Sequence, residues 1–248
     1  MKYALLISGQ PRNVKEAYEG IYTKVIEPNG IKDIFIHSWI DPDMVGKQYV
    51  AQWRRKLLKQ QQNEEAEERS VASKVVPSNI DSTILELYNP KVWKFEKPKT
   101  FSYDTSVEEY LSDVMYPQDM LSWMYSMWQA NLLKTEYENF HKIKYDMVLR
   151  IRFDFLPAEP LDLKKFTEID TIYASDRYPS EIGMNDIWCA CNSNLMDIYT
   201  SMFLNFENIL SDAGDVRFNH EMMLKRWIEV INKIKVERID FDFGTMLI

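Results

Sequence analysis

Cysteine is nearly absent from this 248-residue chain: Cys189 and Cys191 are its only two. On a strand they would share a face, but adjacent same-face positions are poorly placed for a disulfide. With no histidine beside them they make no zinc site. Two buried thiols in a reducing compartment is the reading. Glycine is scarce at seven residues, with ten prolines, which excludes a disordered or fibrous chain. The glycine fingerprint of dinucleotide-binding folds and the Walker phosphate loop are both missing. No apolar run approaches the roughly twenty residues that cross a bilayer. The N-terminal "MKYALLISGQPR" also lacks the cleavage pattern of a signal peptide. It reads as a first strand, and a soluble, cytoplasmic protein with no transmembrane segment is expected. Positive charge is in deficit, 30 Lys and Arg against 38 Asp and Glu, for a net charge of −8. That excludes a general nucleic-acid binder and leaves room only for a local basic pocket.

What the chain does have is apolar residues, 46% of the total, enough for one sizeable core. "YALLISG" (Tyr3 to Gly9) predicts a buried strand closed by a Gly-Gln-Pro-Arg turn. Asn13 can cap a helix running to about Ile26, which Pro28, Asn29 and Gly30 end. "DIFIHSW" (Asp33 to Trp39) follows as a second buried strand. Strand, helix, strand at this spacing is a βαβ unit and predicts a parallel sheet. Lys91 to Pro98, "TIYAS", "DIWCACNS" and "ERIDFDF" predict further strands, and the last third of the chain carries two amphipathic helices. With no repeat and no linker, one α/β domain with a helical insertion at about 45–90 is the economical architecture. Within that insertion, Gln48 to Ser70 reads as a charged helix lying on the surface or serving as a lid.

Pro117 to His141 predicts a long helix with two stripes. Leu121, Met124, Trp128 and Leu132 are apolar, while Ser122, Ser126 and Gln129 are small or neutral and polar. Such a polar stripe suits either a cleft wall or helix packing. Lys134, Glu136 and Glu138 read as an ordinary solvated face.

"DMVLRIRFDFLP" (Asp146 to Pro157) starts as solid hydrocarbon and then sets Arg150, Arg152 and Asp154 in alternation. On one continuous strand these three share a face, with Leu149, Ile151, Phe153 and Phe155 on the other. A solvated edge, an internal ion pair or an anion site would each produce the pattern. Met147 to Leu149 are apolar on both faces, so the charges begin only toward the carboxyl end. Ligands of open α/β sheets bind there. The first strand ends alike, with Ser8, Gly9, Gln10 and Arg12, where glycine permits close backbone approach and arginine offers a fork for phosphate.

The order "LLISGQPRN", "SMWQANLLKTEYE…YDMVLRIRFDFL" and "MNDIWCACNSNLMDIYTSMF" resembles a group of small bacterial and viral glycosyltransferases of capsule, lipopolysaccharide or virion glycans. The resemblance implies a GT-A-like fold, a mostly parallel twisted sheet with helices on both faces. It also implies a nucleotide-sugar donor, a glycan acceptor and a divalent metal, Mn²⁺ or Mg²⁺. Such enzymes commonly carry Asp-x-Asp at a central strand end; here Asp154 matches the last Asp and Arg152 replaces the first. Ser8, Gly9, Gln10, Arg12, Arg150, Arg152 and Asp154 are then the expected donor-binding residues. Asp154 and His220 are the expected metal ligands. Glycosyl transfer by inversion needs a carboxylate base, for which Asp186 is the first candidate and Glu221 the second. His37 reads as a satisfied polar residue. The alternative is a non-catalytic nucleotide- or glycan-binding protein of the same fold.

Overall fold

The structure is a computed structural model and describes residues 1–46, 77–112, 115–177, 183–211, 217–241 and 243. The charged stretch from Gln48 to Ser70, read as a surface or lid helix, lies outside the described residues.

Seven strands form one sheet: β1 (Tyr3–Gly9), β2 (Asp33–Trp39), β3 (Val92–Glu96), β4 (Met147–Ile151), β5 (Thr171–Ser175), β6 (Trp188–Cys191) and β7 (Lys235–Ile239). Their spatial order is β3-β2-β1-β4-β6-β5-β7. β6 runs against β4 and β5, while the other neighbours pair parallel. The fold class is therefore α/β with a mostly parallel sheet, as expected. From β1 the chain steps outward to β2 and β3, then returns to the other flank of β1 as β4. The reversal of direction falls between β1 and β4.

Period-two alternation divides the strand residues between two cores. Leu5, Ile7, Leu149 and Ile151 face α1 (Val14–Ile21) and α2 (Ile80–Tyr88), whose Ala17, Ile21, Ile80 and Ile84 are buried against them. Ala4, Leu6, Phe35 and Val148 face the other way. That face is covered by α3 (Pro117–His141), α4 (Ser193–Thr200), α5 (Phe206–Leu210) and α6 (His220–Lys225). Cys189 and Cys191 are free, buried thiols, and burial pushes Cys189 up to about 12.

Three local expectations change. Asn13 precedes α1 in the left-handed region (φ 51°) and makes no side-chain cap. Helical turns continue beyond Pro28, which sits in the first turn of the short Glu27–Asn29 segment, and stop at Gly30 (φ 60°). Lys134 and Glu138 are not on a solvated face: both side chains are fully buried. The α3 helix passes across the sheet, and α4 closes over its far half. There Lys134 Nζ donates to Ser193 Oγ at 2.6 Å and Asp197 Oδ1 at 3.0 Å, while Glu138 accepts from the Tyr145 backbone N–H at 2.9 Å. The Ser126 and Gln129 stripe is likewise buried, so it packs the helix rather than lining an open cleft.

Candidate active site

Strand β4 stops at Ile151, and this corrects the expectation of one continuous strand through Asp154. Both neighbours end their pairing there: Ile7 of β1 and Trp188 of β6 are each opposite Ile151. With no ladder left to join, the backbone turns, and the Phe155 N–H reaches back to the Arg152 carbonyl at 3.3 Å. Only Arg150 of the three charges therefore lies within the strand. The turn brings Asp154 onto Arg152 as a fork, Nε to Oδ1 at 2.9 Å and Nη2 to Oδ2 at 2.8 Å.

Around this fork the carboxyl edge of the sheet gathers most of the expected residues. Arg150 is 1% exposed, and its Nε donates to Ser8 Oγ at 3.2 Å while Nη1 donates to the Asp186 carbonyl. Because β6 is antiparallel, its start lies at the same edge as the end of β4. Asp186 thus arrives two residues before Trp188, with its Oδ2 at 3.4 Å from Arg152 Nη1. Gly9 closes β1 with φ 114°, a conformation L side chains rarely adopt, and a Cβ there would meet no described atom within 4 Å. The Gln10 carbonyl accepts from the Arg12 N–H at 2.8 Å.

Arg12 acts electrostatically on Asp154 at the β4 turn and on Asp119 in the first turn of α3. Burial favours the neutral form of Asp154, but Arg152, helped by Arg12, holds it below the usual carboxylate range. Burial likewise opposes the Arg152 charge and is outweighed by Asp154 and Asp186. For Asp119, burial wins and raises its pKa against the pull of Arg12.

His220 opens α6 beside this group. Its ring meets Trp123 edge-on at 4.8 Å, and burial lowers its pKa, with Asp186 opposing and Arg152 reinforcing. Glu221 is tied in through its backbone, its carbonyl accepting from the Met184 N–H at 2.9 Å. That contact explains Gly183: a Cβ there would lie 2.7 Å from the Glu221 backbone carbon. His37 stands apart at the end of β2, with Nδ1 at 2.8 Å from Ser126 Oγ and Nε2 at 3.4 Å from Glu96. Burial pushes it down to about 4 despite Glu96, so it is neutral at ordinary pH.

Sequence reasoning missed Asp119 and Trp123. An acid in a helix's first turn is common for dipole reasons alone, and nothing local marks it as facing Arg12. The expected metal ligands fare differently. Both Asp154 oxygens are taken by Arg152, and among the described residues no three of His, Cys, Asp and Glu come together as a metal site. Mg²⁺ is commonly held by one or two carboxylates together with waters and substrate phosphates, so a metal at Asp154 would draw its remaining ligands from a bound diphosphate.

The protein class these observations define is an α/β protein with a cluster of arginines and aspartates at the carboxyl edge of its sheet, where the strand order reverses. No protein-family model matches the sequence, and no curated protein matches it. Two solved structures with partial similarity are of the glycosyltransferase GlyE from Streptococcus pneumoniae TIGR4. The apo form shares 10% identity over 96% of this chain and 45% of its own, with a TM-score of 0.42. The second shares 9% over 97% and 46%, with a TM-score of 0.37. The chain spans about half the length of these structures. Among the described residues no helix is long and apolar enough to cross a membrane.

Proposed function

We propose that this chain is a glycosyltransferase that moves a sugar from a nucleotide-diphosphate donor to a glycan acceptor of the surface-glycan kind. The observation that carries this reading is the meeting of Arg12, Arg150, Arg152, Asp154 and Asp186 at the carboxyl edge between β1 and β4. In open α/β sheets that edge, at the reversal of strand order, is where ligands bind. Planar guanidinium groups suit a diphosphate, and Gly9 lets the backbone approach it.

In this mechanism an acceptor hydroxyl attacks the anomeric carbon, the bond to the diphosphate breaks, and the hydroxyl proton passes to a carboxylate. Arg12 and Arg152 stabilise the departing diphosphate. Asp154 holds Arg152 in place, Arg150 anchors the Asp186 backbone, and Asp186 takes the proton, with Glu221 second in line. A divalent cation held by Asp154 and His220 is the other way to neutralise the diphosphate. The non-catalytic reading rests on the broken Asp-x-Asp pattern, in which Arg152 stands in place of the first aspartate.

Calorimetry with UDP, GDP and dTDP and their sugars, with and without Mn²⁺, tests the reading. One nucleoside diphosphate binds, Arg152→Ala abolishes turnover, and EDTA leaves turnover intact; loss with EDTA would move the role to the cation. Asp186→Asn cuts turnover by about 10²–10⁴-fold with donor affinity nearly unchanged. Binding without turnover for every sugar nucleotide selects the non-catalytic reading. If no nucleoside diphosphate binds, the proposal fails.

A further inference from the structure

Helix α3 has a second open flank. Asp119 and Trp123, four residues apart, lie on one side of its first turns, toward Arg12 and His220. Leu121 lies on the opposite side and lines a cavity of about 270 Å³ with Phe101, Tyr103, Phe203, Asn205, Glu207 and Asn208. Besides Leu121 of α3, these residues come from the segment after β3 (Phe101 and Tyr103), from the turn joining α4 to α5 (Phe203 and Asn205) and from the first turn of α5 (Glu207 and Asn208). The first two of these segments reach the carboxyl edge of the sheet: β3 ends there, and α4 starts at the amino edge, where the antiparallel β6 ends, and runs back toward it.

The lining has a definite chemistry. Phe203 stacks on Trp128 with centroids 5.4 Å apart and an interplanar angle of 28°, and Phe101 meets it edge-on at 5.7 Å. One carboxylate oxygen of Glu207 accepts the Asp104 N–H at 2.9 Å, while no described residue hydrogen-bonds the Asn208 side-chain amide. Neither lysine nor arginine lines the cavity, so it does not suit a diphosphate. Aromatic walls with amide and carboxylate groups suit a neutral ring that has apolar faces and a hydroxylated rim, namely a sugar.

We propose that this cavity is a carbohydrate subsite gripping a sugar unit of the acceptor away from the one that reacts. The proposal rests on the glycosyltransferase reading. A helix is roughly 10 Å across, so a sugar here is separated from the crevice by the width of α3. The site therefore contributes acceptor affinity for longer glycans and leaves the chemical step to the crevice.

The test is ligand-observed NMR with trisaccharides built from glucose, galactose or N-acetylglucosamine, run beside nucleoside-diphosphate binding. At least one trisaccharide binds; Phe203→Ala weakens it about tenfold, a loss of one stacking partner. Asn208→Ala, at the polar side and safe for folding, weakens it less. Arg12→Ala lowers diphosphate affinity and leaves trisaccharide binding unchanged. No trisaccharide binding, binding indifferent to both cavity substitutions, or displacement of the trisaccharide by a nucleoside diphosphate overturns the subsite. Trisaccharide binding with no nucleotide binding keeps the subsite and overturns the glycosyltransferase reading instead.

Discussion

At the amino edge of the sheet Lys134 and Glu138 are wholly buried; at the carboxyl edge Arg152 and Asp154 are 22% and 8% exposed. Each is an ion pair within the same domain. In the first, both side chains are sealed off, while their outer partners Lys144 and Asp197 are 52% and 36% exposed. Lys134 bonds Ser193 and Asp197; Glu138 bonds Lys144, the Ser193 hydroxyl and the Tyr145 N–H. The second is partly open to solvent, with a guanidinium shared between Asp154 and Asp186. Ion pairing serves packing where every donor is used up and can serve binding where one side is left to solvent.

The largest effect should come from breaking the closed pair. Glu138→Ala leaves Lys134 with Asp197 as its counter-charge but strips the buried Tyr145 N–H and Ser193 hydroxyl of their acceptor, and should cost about 3 kcal/mol of stability in urea titrations. Lys134→Met combined with Glu138→Leu should recover part of that loss. A cost below that of an exposed pair would show that the network is not closed in solution.

A pH effect comes next. Unfolded His37 titrates near the usual 6.5 and folded His37 at about 4. Stability is therefore full above 6.5 and falls as pH drops from 6.5 to 4, because the unfolded chain takes the proton first. The loss should be roughly 2–4 kcal/mol, with His220 adding in the same direction. Glu96, Lys94, Lys99, Ser126 and Tyr125 surround the His37 site. Burial would raise the Glu96 pKa, but Lys94, Lys99 and Tyr125 bring it to about 2. A second loss therefore follows as pH falls from about 4.5 to 2. In His37→Asn the slope between pH 6.5 and 4 should shrink; an unchanged slope in urea melts would assign that window to other groups.

Gly183→Ala should cost about 1–3 kcal/mol, since backbone rather than a movable side chain occupies the Cβ position. It should also disturb the loop that carries Asp186. A neutral result in thermal melts would mean that the Glu221 contact yields easily.

The smallest effect belongs to the open pair. Asp154→Asn should cost only about 1–2 kcal/mol, because Arg152 keeps Asp186 and reaches solvent. A loss equal to that of Glu138→Ala would erase the contrast between the two edges.

Period-two and helical patterns made the sheet, its two-faced core and the Pro117–His141 helix legible in the sequence, because burial imposes those periods on every buried strand and helix. The residues singled out near the strand ends, Ser8, Arg150, Arg152, Asp154 and Asp186, do meet at the carboxyl edge. The meeting of Arg152 and Asp154 in a turn was not legible. It depends on where the β1 and β6 ladders stop, which is a property of three strands at once. Lys134 and Glu138 looked solvated because a helix's charged residues reveal nothing of a second helix laid over them. Asp119 and the aromatic cavity were hidden for the same reason. Local propensity and periodicity follow from a chain's own backbone and side-chain spacing. The partner of a charge is chosen by elements distant in sequence, and only their packing decides whether that charge is closed in or left facing a crevice.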